Sequence, residues 1–161
     1  MTVEGRESLI VRYRAGYAEL TEALSGIAAD ELDWRPGPEG WSVREIVHHL
    51  ADADTMAAAR LRRILTEENP AILAYDEQVL AERLRYRARP IEPALRAIEA
   101  LRAMNAQLLD AMTEPEWRRA GTHSEMGPYS AERWLEFNAA HAHDHAAQIR
   151  QNRAAWTARR R

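Results

Sequence analysis

The chain has 161 residues, 46% hydrophobic and 29% charged, with a formal net charge of −3. That is enough apolar material for one domain spanning 1–161, and too little positive charge for a dedicated nucleic-acid binder. It has no cysteine and no lysine, which excludes disulfides, thiolate ligands, a cysteine nucleophile, Schiff-base chemistry and a Walker-type phosphate lysine.

A metal site must therefore use nitrogen and oxygen ligands, and a reacting thiol must come from outside the chain. The first residues form neither a basic nor an apolar leader, and no run approaches 18 apolar residues. The expected compartment is the cytoplasm, with no membrane partner.

In chain order, Leu9, Ile10, Tyr13, Tyr17, Leu20, Leu24 and Ile27 recur at threes and fours, which predicts an amphipathic helix over 7–28, weakened mildly by Gly16. Arg35-Pro36-Gly37-Pro38 breaks it off. A second helix starts at Ser42, with Glu45 completing a capping box and Trp41 placed to staple onto Ile46. Its stripe is Val43, Ile46, Leu50, Ala53, Ala57, Leu61 and Ile64, and it ends before Asn69-Pro70.

Residues 71–78 read as a connector and 79–89 as a short helix, its Arg83, Arg85, Arg87 and Arg89 read as a solvated face. Pro90 and Pro93 open a third long helix with the stripe Leu95, Ile98, Leu101, Leu108 and Met112; a short turn follows through Trp117. Residues 121–129 read as a loop. Ser130 caps the last helix, which runs to about Thr157 with Trp134, Phe137, His141, His145, Gln148, Asn152 and Trp156 as its stripe. The arginines 159–161 complement its macrodipole. With no long strand pattern, the fold class is all-α, a four-helix bundle with short extra helical segments. The long connector between the second and third helices permits a crossover.

Three of the six histidines fall in His141-Ala142-His143-Asp144-His145. At about 100° per residue, His141 and His145 lie within roughly 40° of one another, in the middle of the stripe, while His143 faces elsewhere. Buried imidazoles need partners, and two on one face can grip one metal ion. The glutamate of the zinc-protease HExxH pattern is missing. On the second helix, His49 lies roughly 100° from the stripe centre and His48 roughly 160°, so His49 can reach a cleft between helices and His48 should be exposed. His49, His141 and His145 supply the ligand count of a catalytic zinc-type site with a position left open. The donors suit zinc or nickel, and also copper or iron(II). Candidate supports are Glu45 and Asp52, each within a turn of His49, with Asn138 and Gln148 three residues from His141 and His145.

The segments 34–37, 40–52, 65–72 and 75–77, with His141-x-x-x-His145-x-x-Gln148-Ile149, resemble the DinB/YfiT-like superfamily of bacterial four-helix-bundle metalloproteins, and its YfiT branch in particular. The resemblance runs from about Trp34 to Trp156. It implies a divalent-metal site from His49, His141 and His145, with Asp52 favoured over Glu45 as the partner of His49. Members of that superfamily are described as metal-dependent hydrolases. Some transfer a low-molecular-weight thiol such as bacillithiol or mycothiol to an electrophile, a related branch includes a thiol-dependent isomerase, and dimers are common. The expected activity is transfer of an external thiol to a small electrophilic molecule, the metal holding the thiol as thiolate. One alternative is metal-dependent hydrolysis, for which His123 is the candidate general base. Another is non-catalytic binding of a metal or small ligand.

Overall fold

The computed structural model describes residues 1–159; Arg160 and Arg161 of the basic terminus lie outside them. The elements in order are α1 (Val3–Leu24), α2 (Ala29–Asp33), α3 (Val43–Thr66), β1 (Ala71–Ile72), α4 (Glu77–Arg83), a 3-10 turn (Tyr86–Ala88), α5 (Glu92–Ala111), α6 (Glu114–Trp117), β2 (Ala120–His123), β3 (Gly127–Ser130) and α7 (Ala131–Ala158). The starts are chemically marked: side-chain oxygens of Thr2, Ser42, Asp76 and Ser130 accept orphan amides of α1, α3, α4 and α7. No helix among the described residues is long and apolar enough to cross a membrane.

The long helices α1, α3, α5 and α7 form a four-helix bundle. α1 packs most extensively on α7, α7 on α3, α3 on α5 and α5 on α1. Consecutive long helices α1 and α3 therefore stand at opposite corners, as do α5 and α7. The diagonal crossings lie in the first and last connections, whereas the connector between the second and third helices joins neighbours.

The segment expected as a loop at 121–129 is a hairpin. β2 and β3 pair antiparallel from Ala120↔Ser130 to His123↔Gly127, and β1 joins β2 in parallel through Ile72↔His123. Strands of two to four residues show too few alternations for a period-2 signal. Gly127 takes φ +69 at the turn.

Two apolar clusters fill the bundle. One gathers Leu20, Val47, Leu50, Tyr86, Ile98, Ala146 and Ile149. The other gathers Tyr13, Leu61, Ile64, Ile72, Leu109, Trp134 and Leu135. Between them, in the sequence of each helix, comes a polar layer. Arg102 donates to Asp54 through Nε at 2.7 Å and Nη2 at 3.0 Å, and to the Tyr13 carbonyl at 3.1 Å, with both charged side chains buried. Asn105 donates to the Tyr13 hydroxyl at 3.1 Å and accepts from Arg62 at 2.8 Å. Gly16 is there for space: a Cβ would come within 2.5 Å of Arg102 and 2.9 Å of Ala142. The buried face of α5 thus runs through Ala94, Ile98, Arg102, Asn105 and Leu109, leaving Leu101 and Leu108 at its edge.

Candidate metal centre

Helix phase brings one imidazole of α3 against two of α7. His49 Nε2 lies 3.3 Å from His141 Nε2, and His145 Nε2 lies 3.1 Å from the same atom. The three ligand-capable atoms all fall within 4.8 Å of one another. Nitrogens bound to one ion at metal–nitrogen distances of 2.0–2.1 Å stand roughly 3.3–3.4 Å apart in tetrahedral geometry and roughly 3.0 Å apart along an octahedral edge. Both short separations fall in that span. The donor set therefore fits a divalent ion, and it leaves its coordination number open.

Electrostatics favour the ligand form. Burial, reinforced by neighbouring imidazoles, pushes the pKa of His49 and of His141 down to about 3, and burial also lowers that of His145. All three rings are neutral near pH 7, as metal ligation requires. Each is held sideways. Trp41 packs on His49 with ring centroids 4.8 Å apart, and Phe137 stacks on His141 at 5.4 Å and 29°. His145 Nδ1 donates to Gln148 Oε1 at 2.8 Å, leaving Nε2 unprotonated towards its partners. His141 Nδ1 is buried without a hydrogen-bond partner, so nothing fixes its tautomer in the same way.

Cavities reach the cluster from two sides. On the His141 side is a space of about 330 Å³, lined by Met126, Tyr129, Phe137 and Ala140 among others. On the His145 side is one of about 230 Å³ whose lining is largely polar, with Glu39, Glu77, Gln78 and Gln148.

Of the supports expected from sequence, Gln148 is in place and the others are not. Glu45 closes the cap of α3, accepting from Ser42 N at 2.8 Å, and lies 3.4 Å from Arg35. Asp52 makes no hydrogen bond to His49; its carboxylate faces Tyr86, and Oδ2 is buried without a partner. Asn138 donates to the Trp134 carbonyl at 2.7 Å, a bond back along its own helix. His123 is buried in β2, outside the three-histidine cluster, and its Nδ1 accepts the amides of Glu125 and Met126 at 3.2 and 3.4 Å. Its proton then sits on Nε2, so the neutral ring has no lone pair free to act as a general base.

His48 is 2% exposed, against the expectation of a solvent-facing ring. The 3-10 turn and the chain after it cover that side of α3: His48 stacks on Tyr86 and donates from Nε2 to the Arg89 carbonyl at 3.1 Å. His143 faces α1, where Nε2 donates to the Arg12 carbonyl at 2.9 Å. On α7 the buried line is Leu135, Ala139, Ala142, Ala146 and Ile149. His141 and His145 border it and do not occupy its middle, because small alanines let the helices approach there while the imidazoles open into the cleft. Sequence reasoning placed Phe137 in the core stripe and Met126 and Tyr129 in the 121–129 loop, and did not bring them to the space beside His141 that all three line.

The profile of the DinB superfamily matches residues 12–149. A protein of Oceanobacillus iheyensis is 38% identical over 120 residues, which cover 74% of this chain and 69% of the relative; its name assigns it provisionally to the metal-dependent hydrolases. A similarly named protein of Geobacillus kaustophilus is 33% identical over 136 residues, 82% of this chain and 75% of its own length. Among solved structures, YfiT from Bacillus subtilis, described as having an unusual four-helix bundle topology, superposes with a TM-score of 0.88 at 28% identity, over 94% of this chain and 87% of that one.

Proposed function

Because this chain belongs to the DinB superfamily, we propose that it is a divalent-metal-dependent enzyme acting on a small electrophilic substrate, with His49, His141 and His145 as the ligands. The observation that carries this is the convergence of three neutral Nε2 atoms, 3.1 and 3.3 Å apart, with His141 lining a cavity of small-molecule size. The relatives' names make hydrolysis the first reading of the reaction.

When bound, a divalent ion supplies Lewis-acid polarisation at this position. The chain's own contribution is orientation and dryness. Gln148 holds the His145 tautomer. Trp41 and Phe137 cover the flanks of His49 and His141 and limit water around them.

The two-sided access favours a second reading, transfer of an external low-molecular-weight thiol. A bimolecular reaction needs two subsites, and the polar space at His145 and the apolar one at His141 offer them. There the thiol sulfur bonds to the electrophilic carbon, and the thiol proton departs with the displaced group.

Purified protein should carry about one equivalent of divalent metal per chain, as a three-histidine site binds one ion. His49→Ala, His141→Ala and His145→Ala should each lose it, whereas His143→Ala should keep it. Full retention in His49→Ala would overturn the ligand set. Incubating the loaded protein with esters, amides and alkylating electrophiles, with and without bacillithiol or mycothiol, separates the reactions. Thiol-independent cleavage supports hydrolysis, and a thiol-bearing product supports transfer. Metal retention without turnover under either condition would leave a binding protein.

A further inference from the structure

Phe137 is the chain's one phenylalanine, on the helix with the most buried tryptophans, yet it is 56% exposed. A large apolar side chain left half in water forgoes stabilising burial. Its ring lies nearly parallel to the His141 imidazole, and it forms one wall of the 330 Å³ space at His141. Met126, itself 49% exposed, stands across that space on the β2–β3 turn. The turn is tied down from beneath by the amide bonds of residues 125 and 126 to His123 Nδ1. Two costly exposed side chains thus face one cavity beside a ligand ring. The charged residues that also line it, Arg133, Glu136 and Asp144, are solvent-exposed and mixed in sign, so they give no strong pull on a charged group.

We infer that this cavity is the subsite for a flat apolar substituent, an aryl group one or two bonds from the reacting carbon, and that Phe137 sets this specificity. The inference rests on the proposed metal-dependent reading for what reacts, but not for what the cavity holds. Three features carry it. The volume lies at the small end of ligand pockets, room for one ring and a short linker. The exposed Phe137 face offers offset stacking to a planar group, and the Met126 thioether adapts to an aromatic edge. His141 lines the same cavity and stacks on Phe137, so a group seated there lies beside one of the three clustered histidines. His123, no base here, acts instead by holding the turn that presents Met126.

The test is an NMR titration of the zinc-loaded protein with phenylacetate and with acetate. Phenylacetate should bind at least about tenfold more tightly, as stacking and burial of one ring provide, with shift changes centred on Phe137 and Met126. Phe137→Ala should bring the two affinities within about threefold of each other, and Met126→Ala should narrow the gap in the same direction. Zinc stoichiometry should stay at one in both variants, because neither side chain is a ligand. Equal affinities in the unaltered protein, a gap that survives Phe137→Ala, or shifts centred elsewhere would each overturn the subsite. If the protein takes up no zinc, or binds phenylacetate selectively yet turns over neither esters nor amides nor, with added thiol, alkylating electrophiles, the proposed function fails while the titration, run on the metal-free protein in the first case, still decides the subsite.

Discussion

Gln148 and Asp52 each follow a clustered histidine by three residues, and only Gln148 hydrogen-bonds to its histidine. Gln148 follows its histidine by three residues on the same helix face, and its amide reaches the ring nitrogen directly. Asp52 stands at the same spacing from His49, but a buried tyrosine competes for its carboxylate. Spacing brings a side chain within reach, and the neighbours then choose its partner. Tyr86 comes from the short turn after α4, which no periodicity ties to α3. The clustering of His49, His141 and His145 was legible because its argument needed only helical phase. The role of Phe137 was not, since periodicity says which face a residue takes and cannot say whether another element covers that face. Replacing Gln148 by Ala should weaken metal affinity by about 10–100-fold, the usual effect of losing such a partner. The melting temperature of the metal-free protein should change little, since Gln148 is half-exposed. Competition against a chromophoric chelator measures the first and thermal denaturation the second.

At the scale of elements, the caps set the helix boundaries close to where Ser42 and Ser130 placed them. The faces were read less well where polar residues are buried. Arg102 and Asn105 interrupt the apolar stripe of α5, so the leucines beside them, Leu101 and Leu108, stood out in the sequence and drew the stripe off centre. What holds Arg102 inside is a two-pronged bond to Asp54. Asp54→Ala should therefore destabilise the protein by about 3–5 kcal/mol, because it leaves a buried guanidinium uncompensated. The double variant Asp54→Ala with Arg102→Met should recover part of that loss, since no charge is then left alone. Urea denaturation of the two resolves the order. A double variant less stable than the single one would mean that Arg102 serves the fold chiefly through the Tyr13 carbonyl.

For the whole molecule, the four-helix class follows from four long periodic stretches, whereas the corner each helix takes depends on packing that no local pattern encodes. The ligand cluster makes metal and acid act on the entire fold. For the metal-free protein the sign is fixed by the lowered histidine pKa values. Between the unfolded value near 6.5 and the folded values near 3 of His49 and His141, the unfolded chain binds more protons. Stability is fully present above pH 6.5 and falls as the pH drops through that window. Melting temperatures of chelator-stripped protein from pH 8 to pH 4 should show a monotonic decline. Zinc at 100 times its dissociation constant, added at pH 7.5, should stabilise by about 2.7 kcal/mol if it binds only the folded chain. One arrangement described above also bears on biosynthesis. The first helix finds its main neighbour in α7, and His49 meets His141, 92 residues further along the chain. A ribosome emits these segments in order, so α1 has only its smaller contact with α5 until α7 emerges. The arrival of α7 thus completes both apolar clusters and the three-histidine cluster together. A chain halted before residue 131 would lack the α7 members of both apolar clusters and two of the three histidines, which exposes interrupted products to proteolysis while chains that include α7 are protected.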